Sequence, residues 1–198
     1  MIDAQTIAAY DARIDDYLKL TPDRPGRHLR HMIATLGTGA KVLDLGCGPA
    51  TSSVHLRAAG IIPDPVDASP EMVALANKMH DINARISSFD TLDADQLYDG
   101  VWANFSLLHA PKADFPGHLV RIHRALKPNG LFIIGMKLGS DSARDQFGRL
   151  YTYYSAAELT MHLETAGFGV TDTHFGESAG LAGIVEPWVI IYCHAAPL

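Results

Sequence analysis

The stretch KVLDLGCGPATSS, residues 41–53, is an apolar run that passes through a glycine loop into a helical pattern. The same order of apolar strand and amphipathic helix recurs as far as a last helix that stops at Gly167. Such alternation predicts a parallel sheet with helices on both faces. The final apolar segments, FGVTDTH and PWVIIYCH, are separated only by a Gly-rich loop, which predicts an antiparallel hairpin. We therefore expect an α/β fold: a three-layer, doubly wound sheet of seven mostly parallel strands with this C-terminal hairpin.

The length of 198 residues fits a single domain, residues 1–198. Apolar side chains at helical spacing predict helices at residues 3–20 and 27–36. We expect the N-terminal helices of residues 1–36 to cover a ligand cleft, and residues 37–198 to form the α/β core.

Charge and composition exclude several classes of partner. The net charge of −6, without a basic run, argues against a nucleic-acid partner. The apolar runs are too short to cross a bilayer and the first residues show no signal-peptide pattern, so we expect a cytoplasmic protein, as a monomer or a homodimer. Cys47 and Cys193 suggest neither a disulfide framework nor a zinc site. We expect no metal, and we expect His28 and His31, one helical turn apart, to be exposed.

Polar motifs stand at the predicted carboxyl end of four strands: the glycine loop, VDAS, SSFD and WANFS. The carboxyl ends of parallel strands meet at one edge of the sheet, where ligands of such folds bind. We therefore expect the four motifs to converge on one crevice.

The glycine loop does not suit a nucleotide phosphate. A dinucleotide fingerprint would need a glycine at Thr51, and a P-loop would need G-K-[ST] after the glycines. Asp44 at the mouth of the loop would also repel a pyrophosphate. A cofactor with an ammonium group reverses this objection, with Gly46 and Gly48 allowing close backbone approach and Asp67 placed to accept ribose hydroxyls. The residues D-x-G-x-G at 44–48 also suit a tight strand-to-helix turn with a capping aspartate.

Five segments together, VLDLGCGPA, VDASPEM, SSFD, YDGVWANFSLLH and RIHRALKPNGLFII, resemble the successive motifs of class I, Rossmann-like S-adenosylmethionine-dependent methyltransferases. The resemblance covers about residues 10–194. It implies S-adenosylmethionine as the cofactor, S-adenosylhomocysteine as the product, and methyl transfer to a small-molecule acceptor by in-line displacement. YDGxWAxxSLLH, GRLYTYYS and PWVII further resemble small bacterial members labelled as tellurite-resistance-related.

The resemblance also implies which residues contact the cofactor. Asp67 would bind the ribose, Asp90 the adenine amino group, and Phe89 would flank the adenine ring. The expected cofactor-binding residues are Asp44, Leu45, Gly46, Cys47, Gly48, Asp67, Ala68, Met72, Phe89, Asp90, Asn104, Phe105, Ser106 and Tyr17.

The chain departs from the family pattern at three positions. Ala50 stands where the family often has a third glycine. Pro63 and Pro65 occupy the second strand and remove ladder donors, which predicts a short or distorted strand. Asp64 could then compete with Asp67 for the ribose, although SPEM directly after Asp67 favours the latter.

The acceptor side is less well defined by the sequence. His109, after the fourth strand, is a candidate general base, or a histidine that caps the next helix or packs on the cofactor. Lys137 and Arg149 flank the polar loop KLGSDSARDQFGR and could bind an anionic acceptor, or form local ion pairs. Tyr151 could add an aromatic wall.

The role of two tyrosines and the function class both stay open at this point. Tyr10 and Tyr17, seven residues apart, either form a lid over the cofactor or belong to a docked amphipathic helix. Besides a methyltransferase, the motifs allow a non-catalytic cofactor-binding module with a regulatory or partner role. A nicotinamide-dependent oxidoreductase is a third class, favoured less because of Thr51 and Asp44.

Overall fold

The computed structural model describes residues 3–19 and 23–197 of the chain. Its strands are β1 (Lys41–Leu45), β2 (Ile62–Asp67), β3 (Arg85–Ile86), β4 (Tyr98–Asn104), β5 (Leu126–Lys137), β6 (Ser142–Arg144), β7 (Leu150–Thr152), β8 (Phe168–Ala179) and β9 (Val185–Ala195). Its α-helices are α1 (Ala4–Asp11), α2 (Ile14–Lys19), α3 (Arg27–Leu36), α4 (Thr51–Ala58), α5 (Pro70–His80), α6 (Phe115–Ala125) and α7 (Ala156–Thr165).

Seven of these strands form one sheet in the order β3-β2-β1-β4-β5-β9-β8. The pairs from β3 to β5 are parallel, whereas β9 runs antiparallel to both β5 and β8. The order reverses at β1, so the carboxyl ends of β1 and β4 flank the point at which ligands bind in doubly wound sheets. The predicted fold class, including the C-terminal hairpin, is confirmed.

The two faces of the sheet carry separate apolar cores, because side chains alternate along each strand. Leu43 and Phe132 face α6 and α7 in the larger core. Val42 and Trp102 face α3 and α4 in the second core. The helices therefore cover both faces, as the alternating sequence predicts.

The second strand is longer than the sequence predicts. β2 pairs with β1 over five of its six residues, from Ile62 opposite Lys41 to Val66 opposite Leu45. The backbone N–H of Ile62 donates to Ala40, just before β1, and the carbonyl oxygen of Val66 accepts from Gly46 and Cys47, just after β1. The alternate residues Pro63 and Pro65 therefore turn their missing donors to the other side. There β3 pairs only with the last two residues of β2. The expectation of a short or distorted strand was wrong for this reason.

Three local features differ from the sequence prediction. The helix expected at residues 3–20 is two helices, α1 and α2, broken at Ala12 and Arg13, and residue 20 lies outside the described residues. The KPNG segment, expected as a turn, is a bulge within β5, since Leu126 pairs with Tyr98 and Leu131 with Gly100. The loop expected between residues 137 and 149 contains β6, which pairs with β7.

Within residues 3–19 and 23–197, none of the helices combines the length and the apolar character that a membrane crossing requires.

Candidate functional site

Two adjoining cavities open at the carboxyl ends of β1, β2 and β4. The first cavity, of about 110 Å³, is bordered by Asp67, Phe89 and residues of α1. The second cavity, of about 430 Å³, is bordered by Asp44, Lys137 and Trp188. The residues that line both are Tyr10, Tyr17, Gly46, Asn104 and Phe105. The four motifs at the strand ends thus converge on one continuous cleft, with these shared residues at its junction.

The glycine loop passes close to the end of β4. Gly46 has a φ of +79°, and a Cβ there would lie 2.4 Å from the Cβ of Ser106, so no larger residue fits at this position. The Ser106 hydroxyl donates to the carbonyl oxygen of Leu45 at 2.6 Å. Leu45 itself packs in the core and lines neither cavity, so its side chain makes no part of the predicted contact. Ala50 adopts the left-handed conformation, with a φ of 60°, that a third glycine would take without strain.

Asp44 is a buried carboxylate on the second cavity. It is 3% exposed and accepts a hydrogen bond from the Ser53 hydroxyl at 2.7 Å. Burial raises its pKa to about 7, and the nearby charge of Asp67 adds to the effect. A cation that reaches this carboxylate would favour its ionised form.

Asp67 holds the glycine loop from the neighbouring strand. One carboxylate oxygen accepts from the backbone N–H of Gly48 at 2.8 Å and the other from that of Ser69 at 2.9 Å. Its burial raises the pKa of the carboxyl group. Asp64 lines neither cavity. Its carboxylate binds the guanidinium of Arg85, which makes Asp64 a structural partner of β3.

The far end of the first cavity follows β2 and β3. Ala68, Met72, Phe89 and Asp90 all line it, as the resemblance implies. His118, which the sequence did not single out, also lines it and packs its ring against Phe89 at a centroid distance of 5.6 Å.

Ligand atoms of Asp90, Asp114 and His118 lie within 4.8 Å of one another. The sequence has no recognisable metal-binding spacing here, and acidic side chains at a cleft often gather without a metal. The expectation of no metal and the expected contact of Asp90 with the cofactor both stay predictions.

His109 does not face the cleft with a free nitrogen. Its Nδ1 lies 2.5 Å from the carbonyl oxygen of Leu150, so this nitrogen carries the hydrogen. Nε2 then accepts from the Tyr10 hydroxyl at 2.8 Å, and Arg149 donates to the Tyr10 oxygen at 3.0 Å. Burial lowers the pKa of His109 to about 4, so its imidazole is neutral at physiological pH.

The two predicted acceptor-side cations already have carboxylate partners. Arg149, 2% exposed, donates to Asp145 through Nε and through a terminal nitrogen, at 2.9 and 2.6 Å. Lys137 forms an ion pair with Glu186 and lies over the ring of Tyr151. The Arg149–Asp145 pair is the local ion pair that one sequence interpretation expected, whereas Lys137 pairs with a residue of another strand, β9.

Tyr17 packs against the glycine loop, and Cys47 is part of it. The Tyr17 ring packs edge-on against Tyr10, with 5.7 Å between centroids, and lies over Gly48. The Cys47 thiol is buried, and its burial raises its pKa. A reactive thiolate is therefore disfavoured at Cys47, which fills the loop as a small residue.

A comparison with protein families identifies the family of this chain. Residues 17–173 match the family described as "Methyltransferase domain". The chain belongs to this methyltransferase family. The match includes the glycine loop, both aspartates and His109, so the predicted family is confirmed and the predicted enzyme class, a methyltransferase, is supported.

Two curated methyltransferases share part of this sequence. The malonyl-[acyl-carrier protein] O-methyltransferase of Erwinia billingiae is 32% identical over 114 residues, which are 57% of this chain and 44% of that protein. The demethylmenaquinone methyltransferase of Mycobacterium marinum is 29% identical over 117 residues, 59% of this chain and 50% of that protein. The matches span about half the length of these relatives.

Solved methyltransferase structures share the fold over nearly the whole chain. The 1,6-didemethyltoxoflavin-N1-methyltransferase of Burkholderia thailandensis, solved with its substrate and S-adenosylhomocysteine, has a TM-score of 0.76 at 23% identity, and the match covers 98% of this chain and 88% of that one. A putative methyltransferase of Haloferax volcanii, solved with its Trm112 activator, has a TM-score of 0.74 at 23% identity, covering 96% and 98%. At this identity the likeness shows the fold alone.

Several cleft residues of this methyltransferase-family chain were not assigned a role from the sequence. His28 was expected to be exposed, but it is buried on the second cavity, where Nδ1 is 2.6 Å from the Tyr192 hydroxyl. Trp188 forms another wall of that cavity. Alternation along PWVIIYC places Trp188 and Tyr192 on one face, which is the signal that could have revealed them.

Proposed function

We propose that this protein transfers a methyl group from S-adenosylmethionine to a small-molecule acceptor. The observation that carries the proposal is the position of two carboxylates, the buried Asp44 and the half-buried Asp67, on either side of the close-packed loop at Gly46 and Gly48. A cofactor with a ribose at one end and an ammonium at the other matches this pair, whereas a pyrophosphate between them would be repelled.

The first cavity would hold the adenosine part. Phe89 supplies an apolar ring and Asp90 an acceptor for the adenine amino group, with Ala68 and Met72 on the side of the ribose. Asp67 would accept the ribose hydroxyls while it keeps its two backbone donors, since each carboxylate oxygen has two lone pairs.

The second cavity would hold the methionine part next to Asp44. The carboxylate of that methionine part needs hydrogen-bond donors or a positive charge. The first turn of α4, at Thr51 and Ser52, offers backbone N–H groups, and Arg24 lines the same cavity. This arrangement places opposite charges near both ends of the amino-acid group.

When bound, S-adenosylmethionine supplies an electrophilic methyl group whose sulfur leaves as a neutral thioether. The junction of the two cavities, formed by Tyr10, Asn104 and Phe105, is where an acceptor would meet it. The main task of the chain is then to align the acceptor and to exclude water, which can lower the barrier by several kcal/mol.

We propose that His109 acts as a base through Tyr10, because the Tyr10 hydroxyl occupies Nε2. The proton of the acceptor passes to the Tyr10 oxygen while the Tyr10 proton passes to Nε2, and the positive charge ends on the imidazole. The pKa of about 4 makes this a weak base. It suits a proton that becomes acidic as the bond to the methyl carbon forms.

Isothermal titration calorimetry with S-adenosylmethionine, S-adenosylhomocysteine and NADH tests the proposal. We expect both adenosyl compounds to bind and NADH not to bind; binding of NADH alone would show the proposal to be wrong. Transfer of a labelled methyl group to members of a small-molecule panel then separates an enzyme from the alternative, a non-catalytic S-adenosylmethionine-binding module. Tight cofactor binding without any transfer would favour the module.

We also propose that residues 1–198 act as one domain in the cytoplasm, as a monomer or a homodimer, without nucleic acid or membrane as a partner. The resemblance to the tellurite-resistance-related members remains part of this proposal. It rests on YDGxWAxxSLLH, GRLYTYYS and PWVII.

A further inference from the structure

Part of the lining of the second cavity is aromatic. Phe105 and Trp188 meet edge to face, with centroids 6.4 Å apart and planes at 78°. His28 lies edge-on to Trp188 at 6.3 Å. These three rings line the cavity together with Leu29 and Ile190, which belong to the apolar cluster that Phe105 and Trp188 pack against.

The orientation of Trp188 is fixed by its neighbour strand. Trp188 lies directly opposite Gly176 in the β8–β9 ladder, and a Cβ on Gly176 would lie only 2.2 Å from the indole. The indole therefore lies across bare backbone, a position that the absence of a side chain at Gly176 permits. A ring held in this way offers a flat surface to a ligand without further loss of side-chain freedom.

Lys137 and Arg149, the two cations expected on the acceptor side of the same cavity, are paired with carboxylates of the protein. The Glu186 carboxylate receives the ammonium of Lys137 and also the hydroxyl of Tyr153 at 2.8 Å. Arg149 is held by Asp145. Burial lowers the pKa of His28 to about 4, so this ring is neutral. An anionic acceptor would have to displace a carboxylate to reach either Lys137 or Arg149.

We propose that the second cavity takes an uncharged, planar aromatic or heteroaromatic acceptor, which stacks on the Phe105–Trp188 corner and presents an N–H or O–H group to Tyr10. This inference rests on the proposed function and names its substrate class. A flat ring gains stacking and apolar burial on this wall, and it requires no counter-charge. The shared position of Tyr10 and Phe105 at the junction puts such a ring next to the proton-accepting pair.

Three probes of similar size separate the features of this class: 2-naphthol is aromatic and uncharged, 2-naphthoate is aromatic and anionic, and decahydro-2-naphthol is uncharged but saturated. Each is titrated by calorimetry into the protein saturated with S-adenosylhomocysteine. We expect 2-naphthol to bind at least about fivefold more tightly than either of the others, which corresponds to the stacking energy of one aromatic pair. Equal or tighter binding of 2-naphthoate or of the saturated alcohol would overturn the inference.

Variants locate the binding site. Trp188→Leu, which keeps apolar bulk, should weaken 2-naphthol binding about fivefold and leave the affinity for S-adenosylhomocysteine unchanged. The matched control is Phe175→Ala on the same hairpin, whose ring is 59% exposed and lines neither cavity; it should change neither affinity. If Trp188→Leu has no effect on 2-naphthol, the inference is wrong.

The first titration also separates this inference from the proposed function. Failure of S-adenosylhomocysteine to bind the wild-type protein contradicts the proposed function itself. Binding of S-adenosylhomocysteine with no binding of 2-naphthol contradicts only the acceptor class.

Discussion

The Tyr10 hydroxyl donates a hydrogen bond to Nε2 of His109 at 2.8 Å, joining the first helix to the turn that follows β4. The other imidazole nitrogen is held by the carbonyl oxygen of Leu150, and Arg149 donates to the Tyr10 oxygen. Helix α1 is therefore held over the cleft by a series of partly buried hydrogen bonds. Further contacts of the same helix, such as the hydrogen bond from the backbone of Leu150 to the hydroxyl of Thr6 at 2.8 Å, strengthen this attachment.

Removal of the Tyr10 hydroxyl should lower the stability of the fold and break the proposed path of the proton to His109. In Tyr10→Phe, Nε2 of His109 and one N–H of Arg149 lose their partner inside the protein, which costs about 1–3 kcal/mol of unfolding free energy. Urea denaturation measures this loss, and nitrogen-15 NMR of the imidazole should show a changed Nε2 resonance. Tyr153→Phe is the control, because its hydroxyl binds Glu186 and not His109; it should leave the imidazole spectrum as in the wild type. An unchanged spectrum in Tyr10→Phe would contradict the hydrogen bond.

The sequence predicted the parts of the cleft that follow from local pattern. Asp44, Asp67, Phe89 and Asn104 were placed at or near strand ends by the alternation of apolar and helical segments and by the glycine loop. A parallel sheet brings such strand ends together. The N-caps Ser69 and Ser155 have the same local origin, because each side chain accepts from a backbone N–H three residues further on, that of Met72 or Glu158.

The acceptor side could not be predicted in the same way. Tyr10 and His109 are 99 residues apart in the chain, and the contact depends on how α1 folds back over the sheet. The Lys137–Glu186 pair depends on the register of β5 and β9, in which Lys137 lies opposite Trp188. The two prolines of β2 led to the wrong prediction of a short or distorted strand, because a sequence does not tell which side of a strand has a full-length neighbour. Arg149 and Asp145, four residues apart, were the exception, since a local pair was one of the two interpretations.

Asp67 should be essential for cofactor binding, and Asp64 should not. Asp67→Ala removes the proposed ribose acceptor and the two hydrogen bonds that hold Gly48 and Ser69. We expect the affinity for S-adenosylhomocysteine to fall by about 10–100-fold, or about 1.4–2.8 kcal/mol, in calorimetry, while circular dichroism shows a folded protein.

The matched control on the same strand is Asp64→Ala. It removes the ion pair with Arg85 and the Tyr98 hydroxyl's acceptor, so it should lower the melting temperature and leave the affinity for S-adenosylhomocysteine unchanged. The reverse pattern, with a loss of affinity only in Asp64→Ala, would transfer the ribose role to Asp64.

Cofactor binding should strengthen as pH rises through 7. The pKa of Asp44 is raised from 3.8 to about 7 in the free protein, so the neutral carboxyl prevails at pH 6 and the carboxylate at pH 8. Because the ammonium group needs the carboxylate, the affinity for S-adenosylhomocysteine should increase about tenfold between these values. Calorimetry in buffers of different ionisation enthalpy should detect release of a proton at pH 6.

The same raised pKa of Asp44 makes the stability of the free protein fall as pH rises, whereas the affinity for the cofactor increases. The folded-state pKa lies above the unfolded value, so the stabilisation from Asp44 is fully present below about pH 4 and is lost as pH rises through about 7. Asp44→Asn should remove this part of the pH dependence of unfolding and also flatten the pH dependence of cofactor affinity. Retention of the full pH dependence of affinity in Asp44→Asn would assign the titration to another group.

The two glycines of the loop should differ in their tolerance of alanine. Both have positive φ, +79° at Gly46 and +52° at Gly48, so both substitutions carry a backbone cost of about 1 kcal/mol. At Gly46 the new Cβ would in addition lie 2.4 Å from the Cβ of Ser106, whereas at Gly48 its nearest neighbour is the Tyr17 ring at 3.5 Å. We expect Gly46→Ala to lower the unfolding free energy by about 2–4 kcal/mol and Gly48→Ala by about 1 kcal/mol, as measured by urea denaturation.

A second substitution tests whether the contact with Ser106 causes this difference. Ser106→Gly removes the Cβ that Gly46→Ala would meet, and it also removes the 2.6 Å hydrogen bond to Leu45. If the clash is the cause, the double variant Gly46→Ala/Ser106→Gly should be more stable than the sum of the two single effects predicts, by about 1 kcal/mol or more. Strict additivity would mean that the cost at Gly46 is the backbone conformation alone, in which case Gly46→Ala and Gly48→Ala should differ little.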